Sequence, residues 1–323
     1  MAYIAGMRAV FLDFGTVSSG DLDTGPLERV LPALTIHQQT QPDDVAARVA
    51  GFQVVLANKA IIDAATIARN PELRLIALTA TGVDNVDLAA ARAAGIAVCN
   101  LRDYCTASVV QHVFAMLLAL THRLHEYGQL VRAGGWLQAG QFSTFPYAIR
   151  ELSGHAFGIV GHGTLGRSVA RIAEAFGMRV MVANRPGGPP AAGRMDLDEL
   201  LPQLDVLSLH CPLSDATRGL IGAARLARMK PDAVLINTAR GALVDSAALA
   251  AALLAHRLGG AGIDVLEQEP PPPGHPLLDP AVPNLIVTPH VAWAAREARQ
   301  RCLDELAANV AAFFEGQSRG RVC

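Results

Sequence analysis

A glycine-rich turn in the middle of the chain is the first stretch whose residue types suggest chemistry. In "GHGTLG", Gly161, Gly163 and Gly166 have the GxGxxG spacing, after an apolar run of strand length and before a helical pattern. The first glycine makes a tight turn, the second lets the backbone approach a diphosphate, and the third lets helix and strand pack closely. A helix beginning near Thr164 presents free N–H groups to that diphosphate. The pattern predicts a dinucleotide site, with a purely structural turn as the alternative.

The end of the following strand bears on which dinucleotide this site takes. NAD-binding units place an acidic side chain there, which hydrogen-bonds the ribose hydroxyls and repels a 2′-phosphate. Here Asn184 and Arg185 follow the run "RVMVA". The amide of Asn184 suits a hydroxyl, and the guanidinium of Arg185 suits a phosphate. Unless Arg185 only points into solvent, the pair favours NADP, or tolerance of NAD and NADP, over strict use of NAD.

Three polar residues follow strand-like runs further along the chain, where parallel α/β proteins place their ligands. They are Arg240 in "NTARGALVD", Glu269 in "VLEQEPPPP" and His290 in "VTPHVAW". A carboxylate stabilises the imidazolium form of a neighbouring histidine, and an arginine fork binds a substrate carboxylate. Together these groups suit reduction of a 2-keto acid, with His290 protonating the developing alkoxide. Taken singly, each has a structural alternative as an ion pair, a solvated carboxylate or a satisfied histidine.

Strand-length apolar runs alternate with helical patterns along the whole chain, as a parallel sheet buried on both faces requires. The predicted strands cover residues 8–13, 54–58, 75–80, 96–100, 156–161, 179–184, 206–211, 233–239, 260–265 and 285–290. The predicted helices cover residues 107–125, 165–176, 219–228, 245–256 and 296–314. The alternation predicts the doubly wound α/β class.

These runs form two series, separated at 134–155 by the loop "GGWLQAGQFSTFPYAIRELSGH", which is rich in glycine and aromatic residues. The last predicted helix follows the final strand and can return to the first series. We therefore predict two doubly wound parallel-sheet domains. Residues 1–101 and 296–323 form a substrate-binding domain, and residues 102–295 form a dinucleotide-binding domain.

Composition narrows the class of protein. The chain has 323 residues, a formal net charge of −2 and no basic run, which argues against nucleic acid or a membrane surface as partner. Polar residues interrupt every apolar run before the roughly 18 residues that span a bilayer. The five cysteines have neither CxxC nor CxxH spacing, so we expect no disulfide framework and no metal site. Without a signal-peptide pattern, a cytoplasmic enzyme acting on small molecules is the expectation.

Longer motifs resemble the D-isomer-specific 2-hydroxyacid dehydrogenases, in that family's order and over essentially the whole chain. They are "GHGTLGR", "LSLHCPLSDATRGLI", "MKPDAVLINTARGALVD", "GGAGIDVLEQEPPPPGHPLL" and "PNLIVTPHVAW". The resemblance implies a flavodoxin-like substrate domain and a Rossmann NAD(P)-binding domain with the active site in a cleft between them. It also implies a catalytic triad of Arg240, Glu269 and His290, and a homodimer through the nucleotide domain with the helix at 106–124 as a swapped arm.

The same resemblance, with the residue-level argument above, assigns the cofactor contacts, including Asp264 at the nicotinamide end. The full set of predicted contacts with NAD or NADP is Thr106, Gly161, His162, Gly163, Thr164, Leu165, Gly166, Asn184, Arg185, Cys211, Pro212, Thr217, Thr238, Ala239, Arg240, Asp264 and His290.

The predicted substrate contacts of the first domain come from two loops. In "TATGVDNVD", the backbone amides around Thr81, Gly82 and Val83 resemble the family's site for the substrate carboxylate, and glycine permits that close approach. Asn58 and Lys59 follow the strand at 54–58 and would face the same substrate, although a lysine at a strand end is more often solvated.

The stretches "NK" and "HVAWAAREARQR" look most like the glycerate dehydrogenases, also called hydroxypyruvate reductases, which implies hydroxypyruvate or glyoxylate as substrate. Trp293 would wall the substrate pocket or anchor a domain interface. Two rival hypotheses remain. Phosphite oxidation uses a similar triad, and some relatives are NAD(H)-sensing corepressors that bind short peptides. Formate dehydrogenases resemble the chain less, because they carry glutamine where Glu269 stands.

Overall fold

The computed structural model describes residues 6–323. Within this range the strands are β1 (Ala9–Phe11), β2 (Leu34–Ile36), β3 (Val54–Ala57), β4 (Leu75–Leu78), β5 (Ala97–Cys99), β6 (Ala156–Val160), β7 (Arg179–Val182), β8 (Val206–Leu209), β9 (Val234–Asn237), β10 (Gly260–Ile263) and β11 (Leu285–Val287). The α-helices are α1 (Gly25–Val30), α2 (Val45–Val49), α3 (Ala64–Ala68), α4 (Leu88–Ala93), α5 (Thr106–Thr121), α6 (Leu124–Arg132), α7 (Gly135–Ala139), α8 (Thr164–Ala175), α9 (Leu197–Leu200), α10 (Ala223–Leu226), α11 (Ser246–Leu254) and α12 (Arg296–Phe314).

The contacts along the chain divide it into two compact units. The first unit contains the residues up to Cys105 together with Trp293–Cys323, and the second contains Thr106–Ala292. The sequence predicted domain limits at residues 101 and 296. These limits of independently folding domains stay a prediction.

The first unit is built on a parallel sheet in the order β2-β1-β3-β4-β5. Phe11 on one face packs with Leu303 of α12, and Val10 on the other face packs with Ile67 of α3. Both faces are therefore covered, which explains the continuous apolar runs of its inner strands. The strand order reverses between β1 and β3, where a doubly wound sheet binds its ligand.

The second unit is built on a parallel sheet in the order β11-β10-β9-β8-β6-β7. A parallel bridge between Ala183 and Met195 adds one position beyond β7, which reproduces the Rossmann order outward from β6. Phe114 of α5 stacks on Phe157 of β6 with ring centroids 6.0 Å apart, and Leu249 of α11 belongs to the core cluster of the other face. The strand order of this sheet reverses between β6 and β8, next to the glycine turn.

The prediction of two doubly wound parallel sheets is confirmed, and each predicted strand contains an observed one. The strand β2 was not predicted, because it is half-buried and its three residues are too few to show a pattern. The predicted helix at 107–125 ends at Thr121, because Arg123 takes a left-handed φ of 53° and a second helix begins after it. The predicted helix at 219–228 shrinks to Ala223–Leu226, because Gly219 has a positive φ of 62°.

Among the described residues, no single helix has the length and apolar composition to cross a membrane. The two helices α5 and α6 reach that length and composition only when counted together, and a bend of 57° separates them.

Candidate active site

Glu269 and His290 form a hydrogen-bonded acid–base pair in the second unit. His290 Nδ1 lies 2.6 Å from Glu269 Oε2, and Oε1 of the same carboxylate accepts the N–H of Leu266 at 2.9 Å. The two side chains are partly exposed, at 25% for the histidine and 34% for the glutamate, so a substrate can reach them. Because the carboxylate occupies Nδ1, proton exchange with a substrate falls to Nε2.

A buried aspartate holds the chain on both sides of His290. This histidine has a φ of +55°, a conformation that residues with a Cβ adopt only when their surroundings impose it. Its N–H donates to the carbonyl of Asp264 at 2.8 Å, and the carboxylate of Asp264 accepts the N–H groups of Val291 and Ala292, both at 2.9 Å. The hydroxyl of Thr288 donates to the same carboxylate at 2.5 Å. Asp264 therefore acts as a positioning residue for the imidazole.

A second histidine lies beside Asp264 and Thr288. His112 of α5 has Nε2 2.9 Å from the hydroxyl of Thr288 and 3.6 Å from Asp264 Oδ1. Because the hydroxyl donates to the carboxylate, it accepts from the imidazole N–H. The sequence analysis did not single out His112, since only the packing of α5 beside β11 reveals its role. The predicted contact of Asp264 with the nicotinamide end of the cofactor stays a prediction.

Arg240 follows β9 in a turn that the buried Asn237 fixes. Asn237 Nδ2 donates to the carbonyl of Arg240 at 2.9 Å, and Oδ1 accepts a backbone N–H of the turn at 3.0 Å. A Cβ on the next residue, Gly241, would lie 1.9 Å from the carbonyl carbon of Leu266. Glycine is required there, and it lets the turn of Arg240 lie directly against the loop that carries Glu269.

The three predicted catalytic residues follow neighbouring strands. Arg240 comes after β9, Glu269 after β10 and His290 after β11, and these strands are adjacent in the sheet. Their carboxyl ends lie at the edge where this fold class binds ligands. A cation, an acid–base imidazole and an orienting carboxylate are the groups needed to polarise a carbonyl and protonate its oxygen.

The loop after β10 carries a second acid–histidine pair with a different role. His275 Nε2 lies 3.2 Å from Glu267 Oε2, and Glu267 Oε1 accepts the N–H of Ser246 at the start of α11 at 3.3 Å. Burial opposes ionisation of Glu267, but hydrogen bonds from Ser246 and His275 outweigh it and lower its pKa. The pair ties this loop to α11 and so restricts where Glu269 lies.

The glycine turn leaves open space where a dinucleotide would bind. A Cβ at position 161 would lie 2.5 Å from the backbone nitrogen of Cys211, and a Cβ at position 166 would lie 2.1 Å from a carbonyl oxygen. Gly163, by contrast, has no atom within 4 Å of its Cβ position, and no side chain caps the start of α8 beside it. An open turn at an uncapped helix N-terminus suits a diphosphate.

Two buried polar atoms at the carboxyl end of this sheet have no hydrogen-bond partner among the described residues. They are Nδ1 of His210, directly after β8, and Oγ1 of Thr238, directly after β9. Burial lowers the pKa of His210 to about 4, so its imidazole is neutral at pH 7. Buried polar atoms normally pair with protein, water or ligand, so these two atoms fit a polar cofactor at that edge.

Several predicted cofactor contacts already hold the protein backbone. The hydroxyl of Thr217 donates to the carbonyl of Pro212 at 2.9 Å and accepts the N–H of Ser214 at 2.7 Å, which closes the turn after β8. Burial raises the pKa of the Cys211 thiol to about 11. Asn184 Oδ1 accepts a backbone N–H seven residues later at 3.1 Å. Contacts between these groups and a cofactor stay predictions.

In the first unit, Asp13 organises a predicted substrate loop. Its Oδ1 accepts the N–H of Asn58 at 2.9 Å, and its Oδ2 accepts those of Lys59 and Ala60 at 2.6 and 2.8 Å. The side chain of Asn58 is buried and donates to the hydroxyl of Thr16 at 2.9 Å, whereas Lys59 is exposed. Asp13 was not among the predicted site residues, although its position at the end of the predicted strand 8–13 was a usable signal.

The other predicted substrate residues of this unit lie in two places. Among the hydrogen bonds of residues 6–323, none uses the backbone N–H groups of the loop 81–83 as donors, which leaves them available to an anion. Asn100 Nδ2 holds that loop by donating to the carbonyl of Thr81 at 2.7 Å. Trp293 packs edge-on against Tyr104, with ring centroids 6.3 Å apart.

Comparison with known proteins shows the family of this chain. The family model described as "D-isomer specific 2-hydroxyacid dehydrogenase, NAD binding domain" matches residues 114–292. The glycerate dehydrogenase of Methylorubrum extorquens is 46% identical over 281 residues, which cover 87% of this chain and 88% of that protein. The hydroxypyruvate reductase of Blautia hydrogenotrophica is 34% identical over 316 residues, which cover 96% and 98%.

A solved structure extends the likeness to three dimensions. The crystal structure of the TT0316 protein from Thermus thermophilus superposes with a TM-score of 0.84 at 36% identity, over 98% of this chain and all of that one. Sequence and fold thus agree. The chain belongs to the D-isomer-specific 2-hydroxyacid dehydrogenases, oxidoreductases that use a nicotinamide cofactor and act on the CH–OH group of their donors.

Proposed function

We propose that this chain reduces hydroxypyruvate to D-glycerate and accepts glyoxylate as a second substrate. The observation that carries the proposal is the 2.6 Å contact between His290 and Glu269, beside the turn of Arg240. The relatives named as glycerate dehydrogenase and hydroxypyruvate reductase support the choice of substrate. They also favour keto-acid reduction over phosphite oxidation and over a corepressor function.

Each member of the triad has one task in this reaction. Arg240 binds the substrate carboxylate and polarises the adjacent ketone. His290 delivers a proton from Nε2 to the oxygen that becomes the hydroxyl. Glu269 accepts the N–H at Nδ1, which fixes the ring and stabilises its cationic form. When bound, a reduced nicotinamide supplies the hydride.

The loop 81–83 of the first unit is proposed as a further carboxylate ligand. Its backbone N–H groups, which donate no hydrogen bond within the described residues, suit an anion. Lys59 is proposed to attract the same anion from the loop that Asp13 holds. Trp293 is proposed to line the pocket for the small hydroxymethyl group.

NADPH is the proposed preferred cofactor. No acidic residue stands between Asn184 and Arg194, so this segment lacks a carboxylate that would repel a 2′-phosphate. Arg185 is exposed beside that strand end, where a guanidinium can pair with the phosphate. The open space at Gly163 supports a diphosphate nearby.

Initial rates with hydroxypyruvate, glyoxylate and pyruvate, each with NADH and NADPH, test substrate and cofactor together. We expect kcat/KM for hydroxypyruvate to exceed that for pyruvate by about tenfold or more. A pocket that hydrogen-bonds the hydroxyl group of hydroxypyruvate loses this interaction with pyruvate, which lacks the group. A preference for pyruvate would contradict the substrate. Absence of turnover with all three acids, in a protein that binds the dinucleotide, would contradict the reaction.

A homodimer is the proposed assembly, formed by the segment 124–149 of the second unit. Leu137, Phe142 and Phe145 are 88%, 95% and 83% exposed, a dense series of apolar side chains for a surface segment. The preceding helix α5, expected to be the swapped arm, is largely buried within its own unit, and its role in the dimer stays a prediction. A second copy with the same apolar segment is the proposed occupant of this surface.

Light scattering on the full chain tests the dimer. The wild type is expected at twice the chain mass, and Leu137→Asp with Phe142→Asp is expected to yield the single-chain mass. Leu254→Asp, an exposed apolar residue on α11, is the matched control that should leave the mass unchanged. A measured wild-type mass equal to that of a single chain would contradict this assembly.

All five cysteines are free thiols in the structure. Free thiols persist in reducing compartments, which supports the cytoplasm as the proposed location.

A further inference from the structure

A second arginine, Arg194, stands at the end of β7. The residue after it, Met195, is bonded to this strand end on both sides. Its N–H donates to the carbonyl of Val182 at 3.0 Å, and its carbonyl accepts the N–H of Asn184 at 2.7 Å. Tertiary pairing thus places Arg194 beside the strand that Arg185 follows.

The segment between the two arginines is a closed loop. Asn184 Oδ1 and the carbonyl of Arg185 accept the N–H groups of Ala191 and Gly188, at 3.1 and 2.9 Å. Arg194 N–H donates to the carbonyl of Ala191 at 3.1 Å. The loop also contains three prolines, which restrict its conformations. The two arginines therefore stand at opposite ends of one restrained loop.

Charge at the glycine turn supports a role for Arg194. Burial, together with the nearby charges of Arg194 and Arg167, lowers the pKa of His162 in this turn. Among the described residues, neither Arg185 nor Arg194 forms an ion pair. The end of β7 consequently carries two cations without an acidic partner.

We propose that Arg194 and Arg185 together bind the 2′-phosphate of NADPH. A dinucleotide with its diphosphate at the glycine turn would extend its adenosine ribose towards the end of β7, where these two residues lie. Two guanidinium forks match the charge and the several acceptor oxygens of a phosphate. The inference rests on the proposed use of a nicotinamide dinucleotide and adds the residue that makes NADPH the preferred one.

Equilibrium binding to the full chain tests the site without turnover. Kd values for NADPH and NADH are measured by calorimetry for the wild type, Arg185→Ala, Arg194→Ala and the double variant. Loss of one charge-assisted fork should weaken NADPH by about tenfold in each single variant, and further in the double variant. NADH should change by less than about twofold, because it lacks the phosphate. Arg194→Lys, which keeps the charge, should recover part of the NADPH affinity.

Arg179→Ala is the matched control, because Arg179 is exposed on the same strand but at its opposite end. It should leave the affinities for NADPH and NADH unchanged. Competition with 2′,5′-ADP and 5′-AMP supplies a second readout, in which Arg194→Ala should weaken only the doubly phosphorylated nucleotide.

Two results would overturn the proposal. Arg194→Ala could bind NADPH as tightly as the wild type, or it could weaken NADPH and NADH equally. Either result would remove Arg194 from the phosphate site and leave the dehydrogenase assignment intact. A wild type that binds neither dinucleotide would instead overturn the proposed function, so the two failures are distinguishable.

Discussion

At the scale of single residues, the proposed reaction depends on the hydrogen bond between Glu269 and His290. The two oxygens of Glu269 have separate partners, His290 at 2.6 Å and the N–H of Leu266 at 2.9 Å. One bond orients the carboxylate and the other orients the imidazole. The sequence predicted these two residues and their roles, because each follows a recognisable apolar strand.

Glu269→Gln should lower kcat for hydroxypyruvate reduction by about 10²-fold, the usual scale of a general acid–base contribution. The amide can still contact Nδ1, but it cannot stabilise the positive charge that the ring carries as a proton donor. The Kd for NADPH should stay within about twofold of the wild type, since Glu269 is not a proposed cofactor ligand. Steady-state rates and calorimetry check both, with the exposed neighbour Gln268→Ala as control. Retention of wild-type kcat would exclude the orienting role.

At the scale of elements, two sets of tertiary contacts hold the site at the carboxyl ends of the strands. A buried aspartate holds the segment that carries His290, and glycine contacts press the turn of Arg240 against the loop of Glu269. Both sets of contacts join residues that are distant in the sequence. The glycine spacing of the dinucleotide turn is local, and for that reason the sequence revealed it while the aspartate's role stayed hidden.

Asp264→Asn should disturb the position of the His290 imidazole. An amide has one acceptor oxygen, so it cannot accept all three hydrogen bonds from Thr288, Val291 and Ala292 that the carboxylate accepts. We expect kcat to fall by about tenfold and the free energy of unfolding to fall by about 1–3 kcal/mol, the cost of an unsatisfied buried group. Kinetics and urea unfolding measure the two effects. An unchanged kcat with reduced stability would limit Asp264 to a structural role.

Gly163→Ala should separate binding from folding. The added methyl group has no protein atom within 4 Å, so the melting temperature should stay near that of the wild type. The same methyl group would occupy the space proposed for the diphosphate, and we expect the Kd for NADPH to rise by about tenfold or more. Gly222→Ala, whose nearest neighbour is 3.8 Å away at the start of α10, is the matched control. Equal NADPH affinity in the two variants would place the diphosphate elsewhere.

At the scale of the whole molecule, two units with separate cores make up the chain. The chain leaves the first unit after Cys105 and returns to it at Trp293, and α12 completes its core. A bidentate pair between Asp21 and Arg299, at 2.8 and 2.7 Å, joins the returning helix to the N-terminal part of the same unit. In the second unit, Nδ1 of His210 is buried, and burial lowers the pKa of this imidazole.

His210 should make stability depend on pH. Its folded pKa is about 4 against an unfolded value near 6.5, so the unfolded state binds a proton first as the pH falls. The stability contribution of the neutral imidazole is therefore complete above about pH 6.5 and is lost as the pH falls towards 4, by up to ~3 kcal/mol. Urea unfolding between pH 4.5 and 7.5 should show a weaker pH dependence in His210→Asn than in the wild type. Equal slopes would contradict this origin, and the exposed His125→Asn is the control.

The sequence by itself determined the fold class, the dinucleotide turn and the three residues proposed for catalysis. Those signals are local, because apolar runs, glycine spacing and strand-end residues lie within short stretches of the chain. Only the tertiary structure decided that Asp13 holds the loop of Lys59, that His112 supports the anchor of His290, and that Arg194 joins Arg185. Each of these depends on strands and helices from distant parts of the chain meeting in space, and no sequence spacing encodes such a meeting.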